Sequence, residues 1–274
     1  MHSTVMKIIT ALIFLACLLM IIASLFPAVW VFINGFKDIR EFRQSKTIMP
    51  SNFDINKYIK SWTDFKFMKF YINSLISVLG CVICAIIFNG LLAYSLSILK
   101  PKGGKIIFGI VLWSLLIPAT TSIVALYVNI NSLGLNQTFT PIWLSFGANA
   151  FYVVLFKEFF DGIPREYFEA ATIDGCSNLM IFYKIIMPIS KSIIIVICIF
   201  AVTAAWSDFL LPYLVLAGSP YETVMVRLFQ FRTSNATDVE VLRSIVFSII
   251  PPTILFILFQ RQITDGVTAG GLKG

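Results

Sequence analysis

The sequence predicts an all-α membrane protein with six transmembrane helices in a single domain over residues 1–274. Three observations point there. The chain is 58% hydrophobic and 13% charged, with mean hydropathy +0.88. Soluble domains carry about 25% charged residues. The few charges are also confined to short stretches between long uncharged runs. Lastly, Pro164–Pro188 is the one long segment in the C-terminal two-thirds that mixes charge, small residues and turn signals, with apolar sequence on both sides.

The uncharged runs give the spans in order. Ile8–Phe36 is 29 residues without a formal charge. A span needs about 20 apolar residues, and a secretory signal would have an apolar core of about 7–15 residues and a small-residue cleavage site. An uncleaved span over about 8–33 follows. Asn34–Lys69 is a polar loop with room for short helices, for example from Asn56 to Trp62. Phe70–Leu99 is a second uncharged run, with its span at about 70–97. Asn73, Ser74, Asn89 and Gly90 in it turn one face to protein or water. A turn follows with Lys100, Lys102 and Lys105 and no acid. Ile106–Phe156 is uncharged over 51 positions, too long for one span. The turn-rich Asn129–Thr138 divides it into spans at about 106–128 and 139–157. After the loop 158–189, a fifth span covers about 190–216, interrupted by Asp208. Gly218–Arg243 is polar. The sixth span, about 243–260, contains Pro251-Pro252, tolerated where neighbours satisfy the freed carbonyls. A polar, glycine-rich tail ends the chain.

Composition also excludes function classes. The net charge of +7, in a chain with so little charge, fits loops beside anionic headgroups and not nucleic acid. His2 is the only histidine, which rules out a histidine metal site or triad. Cys81 and Cys84 form a CxxC inside a span with no second pair, and read as small packing residues. Gly103-Gly104-Lys105 lacks the rest of a phosphate-binding loop, so the chain has no P-loop for ATP.

Within Pro164–Pro188, Pro164 suits a first helical turn, and Glu166 and Glu169 complement the helix dipole. Asp174-Gly175 reads as a turn with Gly175 at the helix C-terminus. Ser177 caps a second helix, Asn178–Ile186, which ends near Pro188. Two readings fit this pattern: an amphipathic helix lying on headgroups, or a helix that docks a partner.

The residues themselves favour the second. Glu169-Ala170-Ala171, Gly175, Ile185 and Pro188 stand at the spacing of the EAA motif, and EYFEAATIDGCSNLMIFYKIIMP resembles the version found in ABC importer permeases of the carbohydrate, maltose-permease-like type. Trp206-Ser207-Asp208-Phe209-Leu210-Leu211-Pro212 resembles that family's fifth-span signature, with Ser207 where Asn is usual. Gln260-Arg261 and Gly266–Gly274 resemble its C-terminus, while Ser192 and Arg243 depart from its pattern.

The resemblance implies the MetI-like permease fold in a bacterial inner membrane, with the loop and both termini cytoplasmic. It implies a second permease subunit, expected to be a different chain, two ATP-binding subunits and an external solute-binding protein. ATP and Mg would be bound by the ATPase, with no cofactor in this chain. Glu169, Ala170, Ala171, Asp174, Gly175 and Pro188 would couple to that ATPase, with the alanines allowing close packing. The substrate implied is a sugar or oligosaccharide. A glycerol phosphodiester in the same superfamily is the alternative, and a stand-alone transporter a weaker one. Asp208 reads as a pathway group or as a helix cap beside Pro212. Trp206, Trp143, Asn89 and Asn73 read as sugar contacts or as helix packing.

Charge counting leaves the orientation open. With termini inside, the inner segments hold 10 Lys/Arg, while the first outer loop alone holds eight.

Overall fold

The computed structural model describes residues 2–45, 47–231 and 236–271. Lys46, Arg232, Leu272–Gly274 and the side chain of Arg261 lie outside the described residues. The described chain is helical and forms α1 (His2–Asn34), α2 (Ile39–Gln44), α3 (Asn56–Asp64), α4 (Phe67–Tyr94), α5 (Gly104–Ser114), α6 (Ile123–Ser132), α7 (Thr140–Gly147) and α8 (Ala150–Asp161). It continues through α9 (Glu166–Ile173), α10 (Asn178–Ile181), α11 (Met187–Ile189), α12 (Lys191–Ser207), α13 (Leu210–Leu216), α14 (Val224–Phe231) and α15 (Asp238–Gly271). π-helical turns at Ser95–Leu99 and Phe182–Ile186 extend α4 and join α10 to α11. Among the described residues, three stretches are long and apolar enough to cross a membrane: Met6–Asn34, Phe67–Leu99 and Asp238–Gln260. The pair Asn178–Ile189 and Lys191–Ser207, bent by 83°, makes a fourth if taken as one broken span.

Two expected spans are each interrupted. Between α5 and α6 the chain leaves the helix before Pro118, whose ring disfavours helical geometry at Ile117, and resumes through a 3₁₀ turn at Ala119–Ser122. Between α7 and α8 the break falls at Ala148-Asn149, and the Asn149 side chain caps α8 by accepting from the Tyr152 N–H. At the chain's end the helix runs on to Gly271, where the sequence suggested a polar tail. Its glycines are tolerated within one continuous helix that also contains Pro251-Pro252.

The chain divides into two units, residues up to Met68 with Leu228–Pro251, and Lys69–Arg227 with the remainder. In the first, the C-terminal carbonyls of α1 and the turn after it are captured by side chains distant in sequence. Tyr58 Oη donates to Phe32 O (2.6 Å), and Lys57 Nζ to Phe36 O (2.9 Å). Arg243 donates from Nε to Gly35 O (2.7 Å) and from a terminal nitrogen to Lys37 O (3.0 Å), and also reaches Ser61 Oγ. Cations at a helix C-terminus meet the negative end of its dipole, which explains why an arginine stands at position 243. Burial pushes the Tyr58 phenol up to about 12, with the Arg243 charge opposing it. Rings of Phe36, Tyr58, Trp62, Phe67 and Phe247 pack edge-on or tilted around this contact.

The second unit has an apolar core. Phe156, Phe160, Phe182, Ile186 and Ile197 are fully buried together with Ala85, Ala93 and Ala201. Small residues on α4 and α12 let the helices approach. Across from Gly90, the Phe182 and Phe156 rings lie 3.4 and 3.8 Å from where a Cβ would stand.

Candidate functional site

α9 is a two-turn helix that leaves α8 through Gly162–Arg165. Its first turn carries Glu166 and Glu169, favourable at the positive end of the dipole. Pro164 lies two residues before the helix, outside the first turn where the sequence placed it. The other end is fixed by backbone chemistry. Gly175 N–H donates to Thr172 O and Cys176 N–H to Ala171 O, both 3.0 Å, the paired bonds of a Schellman ending. The motif needs a left-handed residue, and Gly175 has φ +78 with open space around it. Ser177 then caps α10 by accepting from the Met180 N–H at 3.3 Å. From there the π turn Phe182–Ile186 and α11 lead into the 83° bend before α12.

This arrangement makes an open groove of about 800 Å³ between α9 and the α10–α11 segment. Ala170, Ala171, Asp174 and Pro188 of the expected coupling set line it, together with Tyr167 and Lys184. Glu169 and Gly175 are exposed beside it. The two alanines do different things. Ala170 is exposed, whereas Ala171 is buried at 5% in the core with Ile181 and Phe182. Ala171 therefore lets α9 approach its own chain, not a partner. Apolar side chains remain at the surface here: Tyr167 at 52%, Ile173 at 85% and Leu179 at 61% exposed.

Each expected pathway residue has its own set of neighbours. Asn89 is fully buried and repairs the α7–α8 break. Its amide nitrogen donates to Phe146 O and Ala85 O (both 2.8 Å), and its oxygen accepts from Asn149 N–H (2.9 Å). Asn73 donates to Pro220 O and Glu222 O, while neighbouring Ser74 accepts from Val224 N–H. Trp206 is buried edge-on to Tyr71 at 5.6 Å. Trp143 stacks on Phe139 at 5.9 Å and lies over Gly80, whose missing Cβ would stand 2.2 Å from the indole. Asp208, half-buried, ends α12 and faces the backbone N–H groups of Phe209, Leu210 and Leu211 at the start of α13. The polar atoms of Asn89, Asn73 and Asp208 bond to the backbone, whereas the Trp143 indole nitrogen is buried without a hydrogen-bond partner among the described residues. Cys81, buried and donating to Ile142 O at 3.7 Å, is likewise a packing residue.

Sequence reasoning missed a polar cluster where α8 meets α9. Lys157 Nζ and Ser97 Oγ both donate to the Asp161 carboxylate, and Lys157 lies over the Phe108 ring at 4.7 Å. The four-residue spacing of Lys157 and Asp161 was the available signal.

Comparison with known proteins places the chain in a class. It belongs to the family of binding-protein-dependent transport system inner membrane components, whose description matches residues 14–268. Among relatives, the probable ABC transporter permease protein YurM of Bacillus subtilis is 30% identical over 93% of this chain and 86% of its own length. The diacetylchitobiose uptake system permease protein NgcG of Streptomyces coelicolor is 26% identical, covering 90% and 83%. The arabinooligosaccharides transport system permease protein AraQ of Bacillus subtilis is 27% identical over 91% of each. A chain in the crystal structure of a bacterial ABC transporter involved in the import of the acidic polysaccharide alginate has the same fold, with TM-score 0.81, 22% identity and coverage of 93% and 96%.

Proposed function

We propose that this chain is the membrane-spanning subunit of an ATP-driven importer for a sugar or oligosaccharide, and that α9 is its coupling helix. One observation carries the reading. α9 is an exposed helix joined directly to the end of α8, stopped by a Schellman turn and flanked by an open groove on the EAA residues. A helix held only at its ends and base is shaped to enter a cleft on another protein. Relatives named for chitobiose and arabinooligosaccharide transport support the substrate class.

In this account the chain crosses the bacterial inner membrane six times, with α9 and both termini in the cytoplasm. The interrupted pairs α5–α6 and α7–α8 are spans three and four. The chain pairs with a second, different permease, and two ATPase subunits that hold ATP and Mg lie below. An external binding protein delivers the solute. ATP binds the closed ATPase pair better than the open one, and that difference in affinity drives α9 and the attached helices between inward- and outward-facing states. Ala170, Tyr167 and Glu169 face the ATPase. Gly175, Asp174 and Ala171 keep the helix in place, and Pro188 fixes the bend behind it.

The test is reconstitution of the two permeases and the ATPase in vesicles, with the binding protein outside and candidate sugars supplied one at a time. Uptake of a saccharide that requires both ATP and the binding protein is expected. ATP-independent uptake would overturn the reading.

A further inference from the structure

We propose that Asp161 is a positioning residue that, together with Lys157, ties α4, α5 and α8 to one another at the root of the coupling helix, so that a push on α9 moves them together. This rests on the coupling function proposed for α9.

Asp161 is the last residue of α8, and Glu166 begins α9 five positions later. A displacement of α9 that passes back into α8 therefore passes beside this carboxylate. One carboxylate oxygen accepts from Ser97 Oγ, in the π-helical end of α4. The other accepts from Lys157 Nζ, one turn back on α8. Lys157 in turn lies 4.7 Å from the centre of the Phe108 ring on α5. The cluster thus joins α4, α5 and α8 through one carboxylate and one ammonium. Burial raises the Asp161 proton affinity, but the hydrogen bonds from Lys157 and Ser97 and the charges of Lys157 and Lys100 outweigh it and hold the carboxyl below its ordinary range. The group is anionic at neutral pH.

Two features separate this cluster from an ordinary surface ion pair, which contributes about 0–1 kcal/mol. The Lys157 side chain is only 17% exposed, against 38% for Asp161, and the carboxylate reaches a residue 64 positions away. The π turn that carries Ser97 also ends on Lys100 in left-handed geometry, φ 47. That end of α4 has no regular helical continuation to stiffen it. The apolar core beneath, with Phe156, Phe160 and Phe182, packs α8 against α4 and the segment after α9. The directional hydrogen bonds add a fixed register at the edge of that core.

The experiment uses the assembled transporter in vesicles, comparing Asp161→Asn, Asp161→Ala and the exchanged pair Lys157→Asp with Asp161→Lys. Assembly is followed by co-purification of the ATPase, and coupling by solute molecules imported per ATP hydrolysed. Expected is retained ATPase binding and hydrolysis with a several-fold lower import ratio for Asp161→Ala, a smaller loss for Asp161→Asn, and partial recovery in the exchanged pair. An unchanged ratio in Asp161→Ala overturns the clamp and leaves the apolar core as the transmitting element. Loss of ATPase binding in Asp161→Ala with no recovery in the exchanged pair also overturns it, because the residue then only supports the fold. The coupling role of α9 fails separately, if variants on its exposed face leave ATPase binding and import intact.

Discussion

Asn89 separates helix packing from substrate contact. Replacing it with Leu removes three hydrogen bonds and strands two backbone groups, Phe146 O and Asn149 N–H, at the α7–α8 break. A buried group left without a partner costs about 1–3 kcal/mol, so the two together cost roughly 2–6 kcal/mol. Inter-helix hydrogen bonds inside membranes average nearer 0.6 kcal/mol each, which pulls the figure to the lower half of that range. At about 2–4 °C per kcal/mol for a chain of this size, the midpoint of thermal aggregation should fall by roughly 5 °C or more. The assay is fluorescence-detected size exclusion after heating, together with uptake kinetics in vesicles at a temperature where both proteins are folded. The packing role predicts a lower midpoint with an unchanged KM. An unchanged midpoint with a raised KM would refute it and return Asn89 to the pathway.

Other positions give further tests. Gly175→Ala forces a left-handed alanine into open space, a cost of about 1–2 kcal/mol from backbone strain alone. It should weaken ATPase binding by several-fold, and Gly175→Asn should do so less; equal affinity for both variants and wild type would count against the turn. Arg243→Met strands Gly35 O and Lys37 O, and at about 1.5–3 kcal/mol for a hydrogen bond to a charged group should lower the thermal midpoint more than Arg43→Met, whose exposed pairing with Asp238 contributes little. Equal midpoints for the two variants would contradict the capping role. Gly80→Val would push a side chain into the Trp143 ring at 2.2 Å. Overpacking of this kind costs about 1–3 kcal/mol, and Trp143→Ala in the same chain should recover part of it; no recovery would show that the ring is not the obstacle.

Local chemistry made the loop around α9 legible. Asp174-Gly175 and Ser177 are signals whose partners lie within five residues, and the structure uses them as their types suggest. The burial of Ala171 was not legible, because which side of a two-turn helix faces inward depends on Phe182 and Ile181 across the groove. The break at Pro118 falls inside the expected third span, where the sequence reading used only the Asn129–Thr138 turn. The α7–α8 break carries no proline, and the side chain that satisfies it, Asn89, stands 60 positions away from Asn149. Long-range repair of that kind leaves no local pattern. Charge counting was inconclusive because some cations of the loop after α1 are structural. Lys37 donates to Thr47 O, Lys57 pairs with Asp38, and Arg43 pairs with Asp238. The positive-inside rule weighs loop cations by their effect on insertion, and these also hold the loop together.

The central claim is that α9 docks the ATPase through its exposed face. The most direct measurement is cross-linking from a single cysteine at Ala170, in a chain whose native cysteines are replaced, to the purified ATPase in the assembled transporter, with and without Glu169→Lys. The account predicts efficient cross-linking from Ala170, a different yield in the presence of ATP, and loss of both cross-linking and uptake with Glu169→Lys while the permease stays inserted. No cross-link from Ala170 in a transporter that imports its sugar normally would contradict it.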